Sequence, residues 1–163
     1  MSVSRKILIV GSLALAIFGM GYGLYYAVFT EHQTLDGLGA ALATGFARAA
    51  ERHMPESQAA LDDAARRSFE YVRQVDAHGH WVGLAILLLI LGIGFERVAF
   101  GERFRIYLAL ALLIGAVLFP LGVLMETWSR GPGPQAIAII GSGFVIAGLS
   151  GTAWGFWRSE ESS

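Results

Sequence analysis

Asp76-Ala77-His78-Gly79-His80-Trp81, followed by the uncharged run from Val82 to Phe95, is the stretch whose reading decides the fold. Before it lie residues 31–76, with eight acidic and five basic side chains, which no hydrocarbon layer accommodates. After it comes an aliphatic wall. The junction between the two holds two of the four histidines, so titratable chemistry meets a membrane boundary there.

Composition agrees with that reading. The 163 residues are 55% hydrophobic with a mean hydropathy of +0.55, above the roughly 45–50% apolar content of soluble domains. Twelve basic and thirteen acidic residues leave a net charge of -1, which provides no electrostatic footprint for nucleic acid. With no cysteine, disulfides, thiolate metal sites and cysteine nucleophiles are excluded. Any metal site must use His, carboxylate or Met.

Working outward, four apolar runs read as transmembrane helices at about residues 7–30, 78–95, 104–128 and 135–157. Ala14-Leu15-Ala16 has the small-x-small form of a signal cleavage site, but signal cores span only about 7–15 residues and this run continues past it. The first run is therefore an anchor. Gly19, Gly23 and Ala27 on it, and Gly143, Ala147, Gly151 and Gly155 on the fourth, form small-residue ridges that permit close helix approach. Pro120 lies inside the third run, and Gly131-Pro132-Gly133-Pro134 is a turn by composition. The tail from Arg158 to Ser163 is polar.

The polar segment is helical by pattern. Leu35, Leu38, Leu42 and Phe46 recur at three- and four-residue intervals, as do Leu61, Ala65, Phe69 and Val72 beyond Met54-Pro55. Two amphipathic helices, about 34–53 and 55–75, follow, with their apolar stripes on the bundle end, the lipid surface or a partner. A new helix then begins near Asp76 or His78, with Asp76 as N-cap. The expected fold is all-α: one membrane domain over residues 1–163, a four-helix transmembrane bundle with an extramembrane helical hairpin, residues 31–76, between its first two spans.

Basic residues near the span ends set the orientation. Arg5, Lys6, Arg97, Arg103, Arg105 and Arg158 lie in short flanks on one side, whereas five of the six arginines opposite sit among the acids of residues 31–76. Both termini are thus expected in the cytoplasm of a bacterial-type inner membrane.

That order places Glu31 and His32 at the end of the first span, Asp76, His78 and His80 at the start of the second, and Glu126 at the close of the third, all at the outer boundary. Imidazole with carboxylate suits zinc, copper or iron, and neutral imidazole can be an axial haem ligand. The candidate ligands are His32, His78, His80, Glu31 and Glu126, with haem b, copper, zinc or a quinone head group as the occupant. Residues two apart on a helix point about 200° away from each other, so only one of His78 and His80 faces a shared centre. Glu126 can instead pair with Arg130 four residues on, and His53 reads as a surface residue at a helix C-terminus. Trp81, Trp128, Trp154 and Trp157 read as interface belts. No phosphate-binding loop, nucleophile elbow or His-Glu-x-x-His zinc motif occurs.

At His78-Gly79-His80 the chain resembles the His-x-His helix start of nitric-oxide-reductase-like members of the haem-copper oxidase superfamily, and of small four-helix membrane proteins that share the element. The resemblance covers one helix. The pattern's glycine five residues after the second histidine is Ala85 here, and a catalytic subunit of that superfamily needs more histidines than the four present. It implies a haem or metal near His78 or His80, without oxidase activity. The function expected is a small membrane subunit or binding protein holding such a group. The alternative is a purely structural accessory subunit that packs on a larger membrane complex, or on its own copies, through its Gly/Ala ridges.

Overall fold

A computed structural model describes residues 1–160, so only the start of the polar tail falls within the described residues. These contain five α-helices and no strand: α1 Val3–Phe29, α2 Glu31–Ala50, α3 Met54–Gly94, α4 Glu102–Met125 and α5 Pro132–Glu160, with a 3-10 turn at Phe95–Arg97. Four of them, α1, α3, α4 and α5, are long and apolar enough to cross a membrane.

The chain is organised by one long hairpin. Between α1 and α2 stands only Thr30, whose N–H still donates to Tyr26 O at 2.9 Å. The two helices run in the same sense, antiparallel to α3. Register stays nearly constant along that pair, with Gly92 meeting Ile9, Gly19 meeting Trp81, Gly23 meeting His78, Gly37 meeting Arg67 and Ser57 bonding Gly45 O at 2.8 Å. At 41 residues α3 is about 60 Å long, roughly twice a hydrocarbon core.

Periodicity explains why the pair stays in contact. On α3, Ser57, Ala64, Tyr71, His78, Ala85 and Gly92 recur every seventh residue, and all are buried or half-buried. On the opposing strand of the hairpin, Ser4, Leu15, Tyr26, Gly37 and Arg48 recur every eleventh, and none is exposed. Both repeats lie close to a whole number of helical turns, so each seam keeps facing its partner. The turn at the tip uses Arg52 at φ 62, the left-handed region, and Pro55 then sits in the first turn of α3, where its missing N–H costs nothing.

Several expectations change here. No helix begins at Asp76 or His78, so Asp76 is not a cap; it lies inside α3 with its carboxylate 3.6 Å from Arg73. The passage from charged to apolar side chains resembles a helix start, yet backbone hydrogen bonding is indifferent to it. The stripes Leu35, Leu42 and Phe46 on α2, and Leu61, Ala65 and Val72 on α3, are exposed, as a lipid or partner face would be, while Leu38 and Phe69 are half-buried. Small residues hold the α2/α3 contact because they let the axes approach. Trp81 is core, not interface belt: only 2% exposed, with Phe18 and Tyr22 edge-on to its ring.

The four apolar helices do not close into a symmetric bundle. α1, α3 and α4 pack mutually around Leu8, Leu15, Leu88, Ala109 and Leu112, whereas α5 lies on the outside of α4 and, among the described residues, reaches the rest around residues 94–100. Gly143 and Ala147, half of the expected ridge, are exposed. The working seam is Gly141, Gly148 and Gly155, seven apart, with Gly151 at its margin on Leu108. A Cβ on Gly141 would enter the Phe119 backbone, and one on Gly115 would lie 2.6 Å from Gly141 O. A four-residue ridge drifts off a contact line that a seven-residue repeat follows. Pro120 is buried inside an α4 that continues through it.

At the opposite end, carboxylates satisfy the first turn of α1. Glu96 accepts the Ser2 N–H at 2.7 Å, and Glu102 accepts the Ser4 N–H at 2.8 Å. Those backbone donors hold both carboxyls below the ordinary 4.5, helped by Arg5 beside Glu96 and Arg105 beside Glu102.

Candidate functional site

The expected site residues all lie near the level where α4 and α5 end and the hairpin continues alone. They are not brought to one centre. Among the described residues no group of three or more His, Asp or Glu is placed to hold a metal ion.

His78 occupies a seam position on α3, facing α1. Its Nδ1 is 2.9 Å from Gly19 O, and its ring fills the space that a Gly23 side chain would need. A carbonyl oxygen only accepts, so Nδ1 carries the proton and the neutral ring keeps an acceptor lone pair at Nε2. His80 points elsewhere, its exposed ring 4.7 Å from that of Phe119 on α4. The angular separation expected for residues two apart is met, each ring addressing a different helix.

Glu31, in the first turn of α2, accepts from the Tyr71 hydroxyl at 3.3 Å. His32 beside it is exposed. Glu126 closes α4 with its side chain 17% exposed and pairs with Arg73 at 3.2 Å, an ion pair angled away from a hydrogen bond. Arg130 instead lies over the Phe69 ring at 4.3 Å, with Arg73 over it at 5.1 Å. The Arg130 loop and the end of α4 are thereby fastened to the hairpin. His53 sits at the tip, N-terminal to α3, with Glu51 at 3.5 Å and Glu56 at 4.0 Å.

Two of the candidates, His78 and Glu31, share a groove. Gly23, Tyr26 and Ala27 of α1, Glu31, and Tyr71, Val75 and His78 of α3 line a cavity of about 260 Å³. Tyr26 is 6% exposed, and its hydroxyl lies beside the Thr34 side chain. Its ring lies 6.5 Å from that of Tyr71. A second cavity of about 300 Å³, between α1 and α4, is lined by Gly11, Ala14, Leu15, Phe18, Trp81, Leu113 and Val117 and contains no ionisable group.

Neither Tyr26 nor Tyr71 was among the candidate ligands read from the sequence. The signal existed, since Tyr71 is seven residues before His78 and Tyr26 is eleven after Leu15, each on the repeat of its own helix. Arg73 as the partner of Glu126 had no local signal. No family model matches the chain, and neither the curated proteins nor the solved structures compared with it match, so the site is read from its own geometry.

Proposed function

We propose that this chain is an integral membrane binding protein whose α1/α3 groove holds the polar head of a small membrane-soluble ligand. The four apolar helices sit in the bilayer, residues 31–76 project from its outer face as the helical hairpin, and both termini are cytoplasmic. The observation that carries the reading is His78. A glycine carbonyl holds the ring, another glycine makes room for it, and a largely apolar cavity stands beside it with polar groups from Tyr26, Glu31 and Tyr71. A quinone-type head group fits this chemistry better than haem b, copper or zinc, because those metals call for converging donors, whereas His80 and Glu126 face other partners and His32 is exposed.

The test is ligand extraction and mass spectrometry on chain purified in native-membrane nanodiscs, with an absorption spectrum and metal analysis alongside. A stoichiometric organic ligand, lost in Gly23→Leu while helicity persists, is the expected result. A Soret band or stoichiometric metal abolished by His78→Ala would move the reading to haem or metal. Retention of nothing would favour the second reading, a structural accessory subunit. That alternative draws support from the exposed Leu35, Leu42 and Phe46 on α2. Its mark would be a defined larger complex lost on Phe46→Glu.

A further inference from the structure

Resting on the groove being a ligand site, we infer that it selects the reduced, hydroxyl-bearing form of a single-ring quinone, the hydroquinone, over the oxidised form. The hydrogen-bonding roles on its walls are unequal. His78 spends its donor on Gly19 O at 2.9 Å, so the neutral ring has only an acceptor left, at Nε2. Glu31 is an acceptor when ionised, and the one donor bonded to it across the groove, the Tyr71 hydroxyl, is already committed. The Tyr26 hydroxyl, beside the Thr34 side chain, donates or accepts.

A wall with two acceptors and one amphoteric hydroxyl recognises donors. A hydroquinone presents two O–H groups, whereas the quinone presents only carbonyl acceptors, which would leave His78 Nε2 facing a lone pair. Spacing points the same way. The two acceptors are positioned by His78 and by Tyr71, two turns apart on α3 and thus about 10 Å along its axis. A ring with hydroxyls at opposite ends reaches in both directions at once, which a single-headed alcohol does not. The cavity of about 260 Å³ lies near the small end of ligand sites, a volume for one substituted ring. The Tyr26 and Tyr71 rings, tilted 42° to one another, supply an aromatic flank.

The full chain in lipid nanodiscs is titrated with three short-chain probes of one shape: a benzohydroquinone, its quinone, and its dimethyl ether, which has lost both donors. Equilibrium dialysis reads the dissociation constants. The hydroquinone should bind about tenfold or more tighter than either other probe, the scale of one hydrogen bond to an otherwise unpaired group. His78→Ala should abolish that preference. Tyr26→Phe and Glu31→Gln, which keep shape, should each weaken hydroquinone binding while the variant stays folded by circular dichroism. Equal binding of all three probes, competed by Gly23→Leu, would leave the groove a ligand site and overturn the donor selectivity. Binding of none would overturn both the selectivity and the site.

Discussion

The two halves of the hairpin share one seam and differ in what surrounds it. In the apolar half, Trp81, Ala85 and Leu88 of α3 face Leu8, Leu15 and Gly19 of α1, and α4 adds a third wall. In the charged half, Ser57 and Ala64 face Gly37, Ala41 and Gly45, no third helix packs on them among the described residues, and Phe46 is 70% exposed. Side-chain charge replaces burial there: Arg66 and Arg67 both bond Asp63, and the Arg67 and Arg66 hydrogen bonds hold its carboxyl below the usual value. A seven-residue repeat therefore specifies contact but not stability. How much each contact stabilises depends on the apolar area it buries.

The difference can be broken deliberately. Trp81→Ala empties the centre of the three-helix half and should cost about 3–5 kcal/mol, against about 1 kcal/mol for Ala64→Gly on the same seam of the charged half. Thermal or denaturant unfolding in detergent reads both. Equal losses would mean that α4 contributes nothing special. Next in size, Gly23→Leu sets a side chain into the His78 ring at the junction of the halves and should destabilise by about 1–3 kcal/mol through overpacking. Gly39→Leu, inside α2 where open space surrounds the glycine, should instead stabilise by about 0.5–1 kcal/mol through helix propensity in the same assay.

A smaller effect is expected at the fastening between α4 and the hairpin. Arg73→Gln strips the partner from Glu126 and should cost about 1 kcal/mol. Once Glu126→Gln is also present the cost should largely vanish, and a double-mutant cycle reads that coupling. Without coupling, the pair is incidental. The smallest change is in pH. Glu96 and Glu102 are held below 4.5 by the Ser2 and Ser4 backbone donors, so their contribution is full above that value and is lost as pH falls through their lower folded values. Amide exchange of residues 2–6, compared at about pH 6 and about pH 3 after correction for intrinsic rates, should show the N-terminal turn loosening while Leu88 and Leu112 stay protected.

Legibility from sequence followed the range of the physics. The apolar runs were readable because hydropathy is a property of contiguous residues. Met54-Pro55 was readable because proline restricts its own backbone and that of its neighbour. Asp76 misled because a polar side chain before an apolar run imitates a cap, although α3 runs unbroken through it. The stripe Leu35, Leu42 and Phe46 was readable as an apolar face, but the close approach of α2 to α3 through Gly37, Ala41 and Gly45 was not, because small residues carry no hydropathy signal. Of the candidate site, His78 and Glu31 share the groove, and His32, His80 and Glu126 do not.

By itself the sequence determined an all-helical chain with four spans of membrane length, a charged segment between the first two, and opposite directions for His78 and His80. Each follows from local geometry or local composition. Only the tertiary structure decided that α1 and α2 act as one side of a single hairpin, that α5 attaches mainly through α4, and that Gly19 O accepts from His78 while Arg73 takes Glu126. Those outcomes depend on which residues of distant helices come level with one another, a matter of register that no local pattern contains.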